Sequence, residues 1–334
     1  MGLFANMPHV PLCLAVLMPN KHNNKYRHKF KKSTYKVTNW ADYNEALRKR
    51  GDITIWFTEE AIKTWKPEKT GGRGRPKDYS ELAIETCLFL RLVLSLPLRQ
   101  TEGFAKSLVR LMNLELDIPD FSTLSKRSIN LKLSHLAQTL TPGSHVIVDS
   151  TGLKVYGKSE WHQEKHDAKA KRTWRKLHLA VDEKHQIIAW DITPNSTGDT
   201  TGAYDLLAQV EHEFKVVMGD GAYDSFDLNE TILKKQPDAK IVIPPPSVAV
   251  ISQAANTQRD DHIRLLQEGR MAWQKQNNYG LRSHVELAVL RYKKIIGPDM
   301  KARELPQQKT EGGIGARVLN RMTSLGMPIS VKVK

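Results

Sequence analysis

Residues 145–152 read His-Val-Ile-Val-Asp-Ser-Thr-Gly, and residues 216–224 read Val-Val-Met-Gly-Asp-Gly-Ala-Tyr-Asp. Each is a short apolar, β-branched run that delivers an aspartate, Asp149 or Asp220, where the run ends. Runs of this kind, bounded by turn-forming residues, read as buried strands. Three more accompany them: Leu177 to Val181, Ile187 to Trp190 and Ile241 to Ile243. One helix, expected from about Thr200 to Val210, separates the third strand from the fourth; another, from about Leu228 to Lys235, separates the fourth from the fifth. Closely spaced early strands imply antiparallel hairpins, and the later alternation with helices implies parallel crossovers. The expected fold is α/β, a mixed five-stranded sheet with flanking helices.

Taken singly, each aspartate has an ordinary alternative. Asp149 before Ser-Thr-Gly suits a turn cap, and Asp220-Gly221 is a common turn dipeptide. A third segment changes their weight. Asn277 to Ile295 reads as one helix in which Tyr279, Arg282, Glu286 and Lys293 fall at i, i+3, i+7 and i+14, on a shared face. Leu281, Val285, Ala288, Val289 and Tyr292 form the neighbouring apolar stripe, which sets that polar face at the sheet edge. Hard divalent cations such as Mg²⁺ take oxygen ligands and keep several waters, so three carboxylates suffice for two ions. Two such ions serve in-line displacement at phosphorus. Gly219 and Gly221 are expected to leave room for a DNA backbone beside Asp220.

Charge points to the same class of partner. The 334 residues carry 51 Lys+Arg against 36 Asp+Glu, a formal net charge of +15. Residues 1 to 144 hold 23 basic and 13 acidic side chains, so the first half carries the larger excess. Such a balance favours a polyanion. From Lys21 to Lys36 seven Lys and Arg occur with no acid, a basic arm suited to phosphate contact without base specificity. Gly71-Gly-Arg-Gly-Arg-Pro-Lys77 resembles the core of an AT-hook, with Arg73 and Arg75 projecting from an extended strip that fits a narrow minor groove; a plain Gly/Pro linker fits the same residues. Ser80 offers an N-cap to a helix carrying Ala83, Cys87, Leu90 and Leu94. Thr101-Glu102 opens a second helix, with Phe104, Leu108 and Leu111 on one face. A third follows Asp120 and carries Lys126, Arg127 and Lys132. Three short helices with a basic last one suit a helix-turn-helix module, and a small helical bundle fits the periodicity as well.

The two cysteines, Cys13 and Cys87, lie in no zinc-type cluster, which excludes a disulfide scaffold and a zinc finger. The apolar run Val10 to Met18 contains Pro11, abuts Pro19 and has no preceding Lys or Arg, so neither signal peptide nor membrane span is expected. It reads as a disordered leader or an extended gene start, with Met18 as the initiator. The expected location is cytoplasmic and DNA-associated.

These residues resemble a known family. Asp149, Asp220 within Gly-Asp-Gly-Ala-Tyr-Asp, and Glu286 within Tyr-x2-Arg-x3-Glu-x6-Lys are similar to the DDE triad of bacterial insertion-sequence transposases, of the group named after insertion sequence five. The likeness runs from about His28 through Arg172-Thr-Trp-Arg-Lys-Leu-His to about Asn320. It implies a ribonuclease H-like catalytic domain preceded by a mainly helical DNA-binding region. It also implies that Asp149, Asp220 and Glu286 are catalytic and hold two Mg²⁺ ions, for which Mn²⁺ can substitute. Hydrolysis at the transposon ends would be followed by attack of the freed 3′-hydroxyl on target DNA. Tyr279, Arg282 and Lys293 would bind DNA near the scissile phosphate. The partners would be double-stranded DNA, as terminal inverted repeats and as target, and a second copy of the chain at synapsis.

The organisation expected from these readings is a leader (1–20), a basic arm and linker (21–77), a helical module (78–140), a catalytic domain (141–315) and a C-terminal tail (316–334). Further DNA contacts are expected from the basic stretch holding Trp161, Arg172 and Lys176, where an aromatic ring could stack on an unpaired base or pack under a hairpin. Trp174 and His178 are read as structural, Asp182 as a turn residue, and Asp191, Asp224 and Asp227 as loop or cap residues, with Asp224 near enough to tune Asp220. Two alternatives stay open: a catalytically silent DNA-binding repressor, and a stand-alone ribonuclease H-like nuclease.

Overall fold

The computed structural model describes residues 34–68, 78–133, 144–155, 174–252 and 257–333. The leader, most of the basic arm, Arg73, Arg75, Trp161 and Arg172 lie outside the described residues. Contacts divide the chain into two compact units, residues 1–41 with 328–334, and residues 42–327.

Strand β1 (Tyr35–Val37) is followed by helices α1 (Trp40–Lys49), α2 (Ile53–Trp56) and α3 (Glu59–Lys63), all within a span expected to be arm and linker. Asp52 and Thr58 cap α2 and α3 by accepting the backbone N–H of Thr54 and of Ala61, and Trp56, Phe57 and Trp65 are buried. Next come α4 (Glu81–Val93), α5 (Leu98–Leu111) and α6 (Phe121–Arg127). Ser80 Oγ accepts the Ala83 N–H at 3.0 Å and Asp120 Oδ1 that of Thr123 at 2.7 Å, caps that contribute about 1 kcal/mol each. Helix α5 starts at Leu98, a turn before Thr101, because Pro97 takes the N-cap position and the Thr101 hydroxyl turns back to the Pro97 carbonyl. Its buried face is Thr101, Ala105 and Val109, while Leu111 is exposed. Lys132 falls beyond the end of α6.

The sheet then begins with β2 (His145–Val155), β3 (Trp174–Val181) and β4 (Ile187–Pro194), followed by α7 (Asp199–Gln209), β5 (Val216–Met218), α8 (Phe226–Lys235) and β6 (Lys240–Val242). Helices α9 (Gln258–Glu268), α10 (Arg270–Gln276) and α11 (Ser283–Ile295), strand β7 (Asp299–Met300), helix α12 (Leu305–Ser324) and strand β8 (Ser330–Lys332) complete the order. The sheet runs β4-β3-β2-β5-β6. The pairs β2–β3 and β3–β4 are antiparallel, while β2–β5 and β5–β6 are parallel. A sixth strand, β7, joins β2 in parallel at Lys154 and Val155. Two residues give too little pattern to read as a strand, which is why five were expected.

Strand alternation splits the core into two layers. Ile147, Leu153, Leu177, Leu179 and Met218 face one layer, which holds Val285, Ala288 and Tyr292 of α11 and Ile314, Val318 and Leu319 of α12. Val146, Val148, Ala180 and Val217 face the other, against Ala203, Leu206 and Leu207 of α7 and Leu228 and Ile232 of α8. Helix α12 runs across the boundary expected at 315, and its buried stretch leaves no free tail there. In the smaller unit β1 pairs antiparallel with β8, Lys36 opposite Val331.

Candidate active site

The parallel pairing of β2 with β5 ends at Ile147 opposite Met218. Asp149 and Asp220 each stand two residues beyond that last pair. They therefore share the sheet face of Ile147 and Met218, the face covered by α11. Asp149 is not at the end of its strand, because β3 keeps pairing with β2 as far as Lys154. On the other edge, β5 leaves after Ile147 and β7 arrives only at Lys154, so the stretch around Asp149 is open to side chains from α11. Carboxyl ends of parallel strands are where open α/β sheets place ligands.

Asp220 caps a 3₁₀ turn, Gly221–Tyr223, by accepting the Ala222 N–H at 2.9 Å. The flanking glycines relieve crowding inside the protein. A Cβ at Gly219 would lie 3.1 Å from Tyr223 and 3.2 Å from Val148, and one at Gly221 would lie 3.2 Å from the Pro244 carbonyl. Asp224 is clamped by Arg259, whose Nε and Nη2 donate to its two oxygens at 2.9 and 2.8 Å.

The segment expected as a single helix from Asn277 divides in two. Asn278 adopts a left-handed backbone (φ 49°), a 3₁₀ turn covers Tyr279–Arg282, and α11 begins at Ser283. The break turns Tyr279 inward. Its ring packs 4.9 Å from that of Trp273 and its hydroxyl donates to the Gly219 carbonyl at 3.2 Å, tying the turn to the peptide before Asp220. Arg282 stands 3.9 Å from Asp149 Oδ2 and donates from Nη2 to Glu286 Oε1.

Burial pushes the Asp149 carboxyl up to about 6, and the negative charges of Asp220 and Glu286 add to the rise, against the pull of Arg282 and the Ser150 N–H. Burial would lower Arg282, but Tyr279, Glu286, Asp149 and Asp220 together hold its guanidinium above the ordinary value. Burial lowers Lys293, and Asp149 pulls the other way. Asp149, Asp220, Glu286, Arg282 and Lys293 thus share one electrostatic neighbourhood. Among the described residues no three His, Cys, Asp or Glu side chains close into a metal-holding group. Arg282 lies between Asp149 and Glu286 instead, supplying positive charge to a set of hard oxygen donors whose mutual repulsion raises Asp149. Such a donor set suits a divalent cation.

Lys176 sits on the opposite face and is paired internally, its Nζ 3.1 Å from Asp199 Oδ1. Ser150 Oγ donates to the same oxygen at 2.8 Å. Sequence reasoning overlooked Asp199, whose place after Gly198 reads as an ordinary helix start. His178 is a core residue, its Nε2 2.9 Å from Thr193 Oγ1. Asp182 Oδ1 accepts the N–H groups of Lys184 and Gln186, fixing the turn into β4.

Family comparison matches residues 140–314 to a domain described as Transposase DDE domain, and residues 48–158 to a second domain of the same description. This chain belongs to the DDE transposase domain family. The longer DDE transposase match spans the sheet, Asp149, Asp220 and Glu286. A solved structure, the piggyBac transposase synaptic complex with hairpin DNA, is similar at 13% identity and a TM-score of 0.35, over 80% of this chain and 73% of that one. Among the described residues no helix is long and apolar enough to cross a membrane.

Proposed function

We propose that this DDE transposase moves its own insertion sequence, with Asp149, Asp220 and Glu286 as the catalytic carboxylates of a ribonuclease H-like domain. The observation that carries the reading is the gathering of these three carboxylates, from two adjacent strands of the sheet and one helix, in the electrostatic neighbourhood of Arg282. The substrate is double-stranded DNA, the terminal inverted repeats first and target DNA next, and synapsis of two ends calls for two copies of the chain. The group to which the sequence is similar is that of insertion sequence five.

Divalent cations, Mg²⁺ by preference, would be held by Asp149, Asp220 and Glu286, and when bound they would activate the attacking oxygen and stabilise the leaving one. The protein's own groups prepare this site. Ionised at neutral pH, Asp149 supplies an oxygen ligand and no proton. Arg282 orients Asp149 and Glu286, with its charge within reach of a phosphate. Tyr279 fixes the peptide ahead of Asp220, and the Asp224–Arg259 clamp fixes the turn behind it. Lys293, half-buried beside Asp149, completes a cationic side on which the scissile phosphate can rest.

The test is a gel assay in Mg²⁺ with labelled end DNA, comparing wild type with Asp149→Ala, Asp220→Ala and Glu286→Ala. Cleavage and strand-transfer products should vanish in all three variants while DNA binding persists. A variant that cuts at the wild-type rate removes its residue from the triad.

A further inference from the structure

A cavity of about 290 Å³ lies between α4 and the start of α12, and shares no residue with the carboxylate cluster. Three cations line it, Arg91 of α4 with Lys301 and Arg303 of the segment after β7, against one carboxylate, Glu311 of α12. The lining charge is therefore +3 − 1 = +2. Glu311 is already committed, because its two oxygens accept the backbone N–H groups of Lys301 at 2.8 Å and Ala302 at 2.7 Å. Arg91 Nε and Lys301 Nζ are buried atoms with no hydrogen-bond partner among the described residues.

Buried cationic donors without partners are costly, by a few kcal/mol per group, unless an anion joins them. The electrostatics agree in direction. Burial lowers both Arg91 and Lys301, and Arg91 lowers Lys301 further, while burial raises Glu311. The shifts of Arg91 and Lys301 oppose the charged forms that a bound anion would restore, and a Glu311 pushed toward its neutral form repels that anion less. A planar guanidinium beside an ammonium suits a tetrahedral oxyanion, which offers several acceptor oxygens at once. The space exceeds one water many times over.

We propose that this cavity is a phosphate-binding site, in which a phosphate group sits among Arg91, Lys301 and Arg303. The inference does not depend on the role assigned to the triad. Two sources present this chemistry, a phosphate of the DNA backbone and a free phosphate anion, and the test separates them.

The probe is inorganic phosphate, titrated calorimetrically into the full chain at constant ionic strength with chloride as control. Wild type should take up phosphate saturably at one site per chain. Lys301→Met should bind at least tenfold more weakly. Arg303→Ala, at an exposed position, should bind severalfold more weakly with an unchanged circular dichroism spectrum, and so carries the test if Lys301→Met fails to fold. Absence of saturable uptake by wild type, or equal uptake by wild type and Arg303→Ala, overturns the proposal. A second arm measures affinity for an arbitrary duplex against salt. If the phosphate belongs to DNA, the log–log slope falls by about one phosphate contact in the variants. If that slope stays put while phosphate uptake is lost, the ligand is a free anion.

Discussion

Asp149 and Ser150 are neighbours on β2 that face opposite layers, and they meet opposite electrostatics. On the α7 side, burial pushes Asp199 upward, but hydrogen bonds from Ser150 and Lys176 outweigh it and hold the carboxylate below its ordinary range. On the α11 side, Asp149 has the Ser150 N–H at 2.9 Å and Arg282 at 3.9 Å, and burial together with two other carboxylates lifts it to about 6. One strand thus carries a finished charge network on one face and an unfinished one on the other. The finished network is a frame. The unfinished one stores an attraction for further positive charge, which is what a site must keep in reserve.

This contrast is open to four measurements. The largest expected effect is in cleavage: Asp149→Asn should lower the rate of end cutting in Mg²⁺ by about 10³-fold or more, whereas Asp199→Asn should stay within about tenfold of wild type. Equal losses would erase the distinction between frame and site. Next is Gly202→Ala on α7, where a Cβ would stand 2.4 Å from His178 Nδ1 in the packed layer. Urea unfolding should show a loss of about 1–3 kcal/mol.

Asp199→Asn should itself lose about 1–2 kcal/mol, because Lys176 is left half-buried without its counter-charge. An unchanged unfolding midpoint would show that Lys176 is satisfied elsewhere. The fourth effect has the reverse sign. Folded Asp149 binds its proton more tightly than the unfolded chain does, so its ionisation destabilises the fold progressively from about pH 4 to about pH 6, with the full cost present above that window. In chelator-treated protein, Asp149→Asn should therefore be more stable than wild type at pH 7.5 by roughly 1–2 kcal/mol, and the difference should close near pH 4. A variant less stable than wild type at pH 7.5 would mean that Arg282 fully balances the aspartate.

The strands were legible because Val216 to Met218 and the runs around it are apolar on both faces, a texture that only a doubly covered sheet requires. Extra length in β2 was not, since Ser150, Thr151 and Gly152 read as a turn and only the distant β3 keeps them extended. In the same way, the triad candidates showed themselves through spacing, yet spacing missed the break at Asn278 that turns Tyr279 away from the shared face. The network of Ser150, Lys176 and Asp199 was invisible because its members are far apart in sequence and each has an ordinary local role. Helices α1 to α3 were masked by the basic stretches on either side, and α12 by the glycines Gly312, Gly313 and Gly315, which the structure uses for close packing against Ile192, Trp190 and Tyr292.

The pairing of β1 with β8 carries a consequence in time. Strand β1 leaves the ribosome early, but its partner at Ser330–Lys332 is made almost 300 residues later. At about 5–20 residues per second, translation leaves β1 without its mate for roughly 15–60 s. The loop to be closed is long, so this contact contributes little to the speed of folding and forms among the last. Pairing of β1 with β8 thus comes late, after the sheet that holds the carboxylates has had time to assemble.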